Sequence, residues 1–526
     1  MLQIRHLTIR HKKDYRILLE DFNLTINKGD KCALIGEEGN GKSTLMKLIY
    51  APETAEEYVE YEGEILRGKE RFGYLPQELP AFALNLSVYE YLTASGGFYD
   101  KNPGELAALC GKIGFPMDRL YSDEPLRVLS GGEKIKVQLI GLLIDEPTLL
   151  LLDEPSNDLD INTLVWLENF IKESNLPVLY ISHDETLLER TANMIVHIEQ
   201  LRRKTVPRYT VSRAGYKDYT AARSLQFEKQ EQEARNERRE YDKQQEKFRQ
   251  IRQKVEHQLN TVSRQDPHGA ALLKKTMHRV KAYEARFETE YENMTERPEY
   301  EEAMFTKFGN KASIPNGKVV LDFSLNELRV PVNKYADAQS SLKPQDNAVL
   351  SQNIRLYVRG PEHICIIGKN GCGKTTLMRI LADGLLSRTD VKAAYMPQNY
   401  EELLDLEKTA VDFLSDGSKE SISLTRTYLG SMKFTADEMT HPMRELSGGQ
   451  KAKVMLLYLD TSGCDVLLLD EPSRNFSPLS NPVIRKMLAD FKGAIISVSH
   501  DRKYIDEVCD TVYELTESGL VRKDKI

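Results

Sequence analysis

The chain has 526 residues, 40% of them hydrophobic and 29% charged, with a formal net charge of −8. That length exceeds what one hydrophobic core organises, so two or more domains are expected. No apolar run approaches the roughly 20 residues that cross a bilayer, and the negative balance excludes a chain coated in basic residues. The six cysteines (Cys32, Cys110, Cys365, Cys372, Cys464 and Cys509) form no Cys-x-x-Cys pair. Buried free thiols are expected there rather than disulfides or metal ligands. Met1-Leu2-Gln3-Ile4 runs straight into a strand-like pattern with no secretory leader, so a cytoplasmic location is expected.

The first strong signal is an apolar strand, residues 31–35, leading into Gly36-Glu37-Glu38-Gly39-Asn40-Gly41-Lys42-Ser43-Thr44 and then a helical run. This is a phosphate-binding loop in its required strand–loop–helix context. Its glycines let successive backbone N–H groups face phosphate oxygens, and the helix N-terminus adds partial positive charge. Lys42 is expected at the β/γ-phosphates of ATP and Ser43 on Mg²⁺. Four motifs follow: Tyr74-Leu75-Pro76-Gln77, Leu129-Ser130-Gly131-Gly132-Glu133, Leu152-Asp153-Glu154-Pro155-Ser156 and Ile181-Ser182-His183-Asp184. A second acidic pair, Asp145-Glu146, lies only 15 positions after Ser130 and has no later counterpart. It reads as a helix-to-strand turn.

Residues 220–298 are highly charged and nearly free of glycine and proline, except around residues 264–269. Phe248, Ile251, Val255 and Leu259 before that break, and Leu273, Met277, Val280, Phe287 and Tyr291 after it, step at helical spacing. Two amphipathic helices folded back around a tip near 260–271 are expected. Residues 247–281 carry nine basic and only two acidic side chains in an otherwise acidic chain. A basic end on a stiff lever suits RNA phosphate, and Arg264, His268, Lys274, Lys275, Arg279 and Lys281 are the candidate contacts.

The remainder repeats the first part. A strand at 364–367 leads into Gly368-Lys369-Asn370-Gly371-Cys372-Gly373-Lys374-Thr375-Thr376, followed by Gln398, Ser447-Gly448-Gly449-Gln450, Asp470-Glu471 and His500. Ser130 precedes Asp153 by 23 positions, as Ser447 precedes Asp470; Glu154 precedes His183 by 29, as Glu471 precedes His500. The fold expected is α/β: two tandem P-loop ATPase domains, 1–205 and 306–526, joined by a 206–305 linker containing the antiparallel helical hairpin.

These motifs together resemble ATP-binding cassette (ABC) domains. Two cassettes joined by a charged hairpin, with no membrane span, resemble the ABC-F subfamily. The resemblance implies that Glu154 and Glu471 polarise the attacking water and that His183 and His500 contact the γ-phosphate. It implies Asp153 and Asp470, with Ser43, Thr375, Gln77 and Gln398, around Mg²⁺. It implies head-to-tail pairing within one chain, Lys42 facing Ser447-Gly448-Gly449 and Lys374 facing Ser130-Gly131-Gly132, in a monomer with no stable protein partner. Three departures stand out. Ser477 replaces the usual aspartate after the second catalytic glutamate, which is expected to make the two sites unequal. Tyr15, placed to stack on adenine, is matched by Asn347, leaving Tyr335 as the second candidate. Gln77 follows Lys42 by 35 positions, against 24 from Lys374 to Gln398, leaving little room for a ribosome-contacting arm.

The function implied is ribosome binding at the exit-tRNA site. The hairpin would reach toward P-site tRNA and 23S rRNA at the peptidyl-transferase centre of the bacterial 70S ribosome, as in antibiotic-resistance ribosome-protection factors. A housekeeping translation factor is the alternative. An exporter subunit would need a membrane partner and no hairpin, and a DNA-acting coiled-coil ATPase would need far longer arms.

Overall fold

The computed structural model describes residues 1–261, 267–292, 294–298, 314–331 and 347–525. Two six-stranded sheets carry the two cassettes, and both have the same order. In the first, Phe72–Leu75, Leu149–Asp153, Val178–Ile181, Lys31–Ile35 and Met194–Gln200 run parallel, and Val206–Ser212 closes one edge antiparallel. In the second, Ala393–Met396, Val466–Asp470, Ala494–Val498, His363–Ile367 and Thr511–Thr516 are parallel, with Gly519–Lys523 antiparallel at the edge. The central strands are buried at every residue, as parallel strands covered on both faces must be. Because Val206–Ser212 belongs to the first sheet, that cassette extends past residue 205.

The unequal Lys-to-Gln spacing has a structural cause. In the first cassette Ile17–Ile26, Leu2–His11 and Val59–Leu66 form a three-stranded antiparallel sheet. In the second, among the described residues, Val319–Pro331 and Asn347–Arg359 pair as a two-stranded sheet. The extra residues after Lys42 therefore build a third strand. Residues 145–148 form the turn between the helix Gly131–Ile144 and the strand Leu149–Asp153, so Asp145-Glu146 takes no part in the catalytic motif. Of the six cysteines, five are buried and Cys372 is partly exposed; all are free.

Both cassettes lie in one compact unit, residues 1–216 and 301–526, and residues 217–300 form a second. The second unit is built on the helices Tyr216–Thr261 and Pro267–Glu292. Tyr241 meets Tyr291 with ring centroids 5.4 Å apart, and Phe248 meets Tyr283 at 5.2 Å. Later residues of one helix thus pair with earlier residues of the other, so the pair is antiparallel. Ala234, Val255 and Val280 are buried, and Glu237 accepts hydrogen bonds from Thr295 N and Oγ1 at 2.7 and 2.9 Å. Ile251 and Tyr291, assigned to the apolar stripe, are more than 40% exposed, while the Leu259 and Phe287 side chains lie outside the described residues. The tip residues 262–266 lie outside the described residues. Pro267-His268-Gly269 starts the second helix instead of interrupting it, since proline fits a first helical turn, where its missing N–H costs nothing.

Candidate active sites

Each phosphate loop ends in a glycine at positive φ, Gly41 at 87° and Gly373 at 99°, just before its helix. Neither helix start has a side-chain cap, so its first N–H groups are left to an anion. A Cβ at Gly36 would lie 2.3 Å from the Ile198 carbonyl oxygen, which explains the glycine there. Lys42 and Lys374 are buried, and each donates to two carbonyls of its own loop at 2.8–2.9 Å. Ser43 donates to Asp153 at 3.1 Å.

The two glutamates expected to be catalytic share an uncommon backbone, Glu154 at φ 51° and Glu471 at φ 55°, of the kind held under strain at functional sites. Their electrostatics diverge. Burial pushes Glu154 up, but the hydrogen bond and charge of His183, the Asn157 hydrogen bond and the Lys42 charge outweigh it and hold it at about 2. For Glu471, burial and the Asp470 charge prevail over the His500 N–H and Lys374, and its carboxyl is raised to about 8. Burial also raises Asp153 and Asp470 to about 6, and burial with the Lys374 charge lowers His500 to about 4. A general base must be ionised, so hydrolysis by a Glu154→Gln variant should rise between pH 7 and 9 as Glu471 loses its proton. A flat pH–rate profile over that range would show that Glu471 is not the limiting group.

The cassettes face each other head to tail. Asn370 of the second phosphate loop donates to the Asp158 carbonyl beside the first signature helix, and Arg474 pairs with Asp158 at 3.0 Å. A cleft of about 790 Å³ opens here, lined by Lys374, Thr375, Glu471, His500, Gly131 and Lys134 among others. It extends to Gln398, Gln77, Glu154 and His183. At the first site the phosphate loop meets the opposite signature helix directly. Glu38, which stands where the second loop has Asn370, accepts the Gly449 N–H at 2.5 Å. Glu37 lies 3.7 Å from Lys433 and 3.8 Å from Lys453, and the gap among Glu37, Glu38, Ser447 and Gly449 is only about 20 Å³. His183 Nδ1 donates to the Phe476 carbonyl at 2.6 Å across the same junction, whereas His500 Nδ1 is buried without a partner. The two sites thus differ in the structure at Glu37 and Glu38.

A carboxylate on a signature N–H occupies a donor that a phosphate would otherwise use. Glu38→Asn is therefore expected to tighten nucleotide binding at the first site by about tenfold, the scale of one charge-assisted hydrogen bond. Fluorescent-nucleotide titration in a Lys374→Ala background measures it, and unchanged affinity would rule out the competition.

Several candidate site residues also have local structural roles. Glu133 and Gln450 close capping boxes with Ser130 and Ser447, starting the signature helices rather than reaching into a cleft. Gln77 donates to Glu154 at 3.1 Å. Ser477 accepts the Ser480 N–H at 3.2 Å, a local cap comparable to the bond Asp160 accepts from Thr163 at 2.9 Å, so that substitution preserves the turn. Tyr15 is 71% exposed on a turn whose next residue, Arg16, reaches the Gly39 carbonyl at 3.4 Å. Tyr335 lies outside the described residues. Leu350, which lines the second cleft, was not foreseen, because an aliphatic residue on a strand carries no motif.

Two phosphate loops, each facing the other domain's signature helix across a shared junction, define a two-cassette nucleoside-triphosphatase. The ABC transporter family profile matches residues 19–157 and 351–474, and the chain belongs to that family, with ABC-F proteins as its relatives. It is an ABC-type ATP hydrolase. It is 27% identical over 512 residues to the ribosome protection protein VmlR of Bacillus subtilis, covering 95% of this chain and 84% of that one. It is 26% identical over 551 residues to the probable ATP-binding protein YheS of Escherichia coli K12, covering 96% and 77%. Among solved structures, archaeal ribosome recycling factor aABCE1, in complex with ribosomal stalk protein aP1, superimposes with a TM-score of 0.56. That match has 20% identity and covers 98% of this chain and 89% of that one, a likeness of fold.

Proposed function

We propose that this ATPase acts in the cytoplasm on the bacterial 70S ribosome, binding at the exit-tRNA site and protecting it against ribosome-targeting antibiotics. Its hairpin would extend toward P-site tRNA and 23S rRNA near the peptidyl-transferase centre. The observation that carries this reading is the basic end of the hairpin in an acidic chain, where Lys274, Lys275 and Arg279 stand exposed. Arg264 and the side chains of His268 and Lys281 lie outside the described residues. Similarity to a ribosome protection protein along almost the whole chain supports it.

The donor set fits ATP with Mg²⁺. Both carboxylate oxygens of Asp470 are buried without a hydrogen-bond partner, an arrangement costly unless a cation or its waters complete it. Asp153, Ser43 and Gln77 would hold the ion at one site, and Asp470, Thr375 and Gln398 at the other. Bound Mg²⁺ supplies neutralisation of phosphate charge. Lys42 and Lys374 then bind phosphate, Glu154 and Glu471 take the proton from water, and the signature helices close each site from the opposite cassette.

Replacing Lys274, Lys275 and Arg279 by glutamate is expected to weaken ribosome co-sedimentation and to reduce the salt slope by about two to three, one phosphate contact per cation. An unchanged slope would remove the RNA contact from this face. Expression in a susceptible host, with growth measured across peptidyl-transferase drugs, tests protection itself. A housekeeping translation factor is the second reading, since the chain is nearly as similar to a relative described only as a probable ATP-binding protein as it is to the ribosome protection protein, and unchanged growth with every such drug would select it. An exporter subunit would have no use for the hairpin between the cassettes, and co-sedimentation with membranes instead of ribosomes in ATP would select that reading.

A further inference from the structure

Behind the two histidine motifs the cassettes meet through buried charges. Glu168, on the helix Ile161–Glu173, pairs with Arg502 of the other cassette, and Arg485, on Asn481–Ala489, pairs with Glu185. All four are less than a tenth exposed. The catalytic motifs of the two copies are offset by 317 positions, Glu154 matching Glu471 and His183 matching His500. By that offset Glu168 matches Arg485 and Glu185 matches Arg502. The two ion pairs are therefore one contact seen twice, with the signs reversed.

The reversal extends to the supporting groups. Glu168 is also held by Arg190 of its own cassette at 2.8 Å, and the matching Arg485 by Glu507 of its own cassette at 2.7 Å. Lys503 adds 3.1 Å and closer contacts to Glu185 and Glu189, and Asp184 lies 3.5 Å from Arg502. The first cassette presents Glu168, Asp184, Glu185 and Glu189; the second presents Arg485, Arg502 and Lys503, whereas Asp184 and Glu189 are matched by Asp501 and Asp506 and keep their sign, so the reversal is confined to the buried quartet, its Arg190/Glu507 supports and Lys503. Two copies of the first surface would bury carboxylate against carboxylate, and two of the second would bury guanidinium against guanidinium. Each is far costlier than the observed pairing, because unpaired buried charge is among the most expensive states in a protein.

We propose that this sign-reversed quartet, Glu168, Glu185, Arg485 and Arg502, is a recognition code. The acidic surface accepts only the basic surface of the complementary cassette, and pairing of like cassettes between separate chains is rejected. The code is independent of what the hairpin touches. It keeps the composite sites intact in a crowded cell, where other proteins expose similar cassettes.

Exchanging the surfaces residue for residue in the full chain tests it. One half-set is Glu168→Arg, Glu185→Arg, Thr186→Lys and Arg190→Glu. The other is Arg485→Glu, Arg502→Glu, Lys503→Thr and Glu507→Arg. Either alone is expected to lower ATP hydrolysis at least about tenfold, and both together to restore it to within about threefold. A half-set that hydrolyses at the parental rate overturns the proposal. So does a combined exchange that melts cooperatively near the parental temperature yet stays inactive. If the combined chain does not fold, Glu185→Arg against Glu185→Arg with Arg485→Glu carries the same comparison. No recovery in that folded pair overturns the proposal as well.

Discussion

Replacing Glu154 and Glu471 together by glutamine is expected to lower ATP hydrolysis by about three orders of magnitude, with nucleotide affinity changed only a few-fold. The two side chains end buried strands beside Asp153 and Asp470, and a positioned general base contributes about 10²–10⁴ in rate. Glutamine keeps the shape and can still accept from Gln77 or Asn157, which now bond Glu154 at 3.1 and 2.5 Å, but it cannot take a proton. The closed, nucleotide-loaded state should accumulate, and on the ribosome reading the protein should stay bound and block translation. Single-turnover hydrolysis and ribosome sedimentation are the measurements. Ribosome occupancy equal to the parent's would separate closure from hydrolysis and contradict the coupling.

Lys374→Ala is expected to cost more activity than Lys42→Ala, although both lysines hold the same place in their loops. The second site opens into a cleft of about 790 Å³, whereas the first is plugged by Glu38 on Gly449 N and by Glu37 among lysines. Burial raises the Glu37 carboxyl, but Lys453, Lys433, Lys204 and Lys42 overcome this and hold it ionised. A nucleotide entering there must displace two carboxylates. Steady-state hydrolysis should fall about a hundredfold or more in Lys374→Ala, the loss of a buried charge on the phosphates, and by less in Lys42→Ala. Equal losses would mean that Glu38 leaves the first site readily.

The two cassettes were legible because phosphate binding leaves little freedom. A loop that aims successive N–H groups at one anion needs Gly36, Gly39 and Gly41 at fixed spacing, and the same order of motifs returned with Gly368. The hairpin was legible from its charge and helical period. The second helix begins earlier than the break at 264–269 implied, because Pro267 and Gly269 break a helix interior but not a first turn. What stayed hidden depends on residues far apart in the chain. Nothing near Glu38 in sequence announces Gly449, and nothing near His183 announces the Phe476 carbonyl. Asp158 and Arg474 lie just beyond the acidic motifs in sequence, and their pairing is a property of the assembled cassettes. The third antiparallel strand, Val59–Leu66, needed Leu2–His11 as its template.

The antiparallel pairing of the hairpin makes its length a graduated quantity. Tyr241 with Tyr291 and Phe248 with Tyr283 are rungs of one ladder, so material added equally to both rails beyond them disturbs no rung below. Seven residues inserted in each rail would advance the far end by about 10 Å at 1.5 Å per residue and keep the buried seam nearly in phase. Removing seven from each would withdraw it by the same step. The reach of the hairpin can thus be reset in increments of two turns while every residue of both cassettes stays the same.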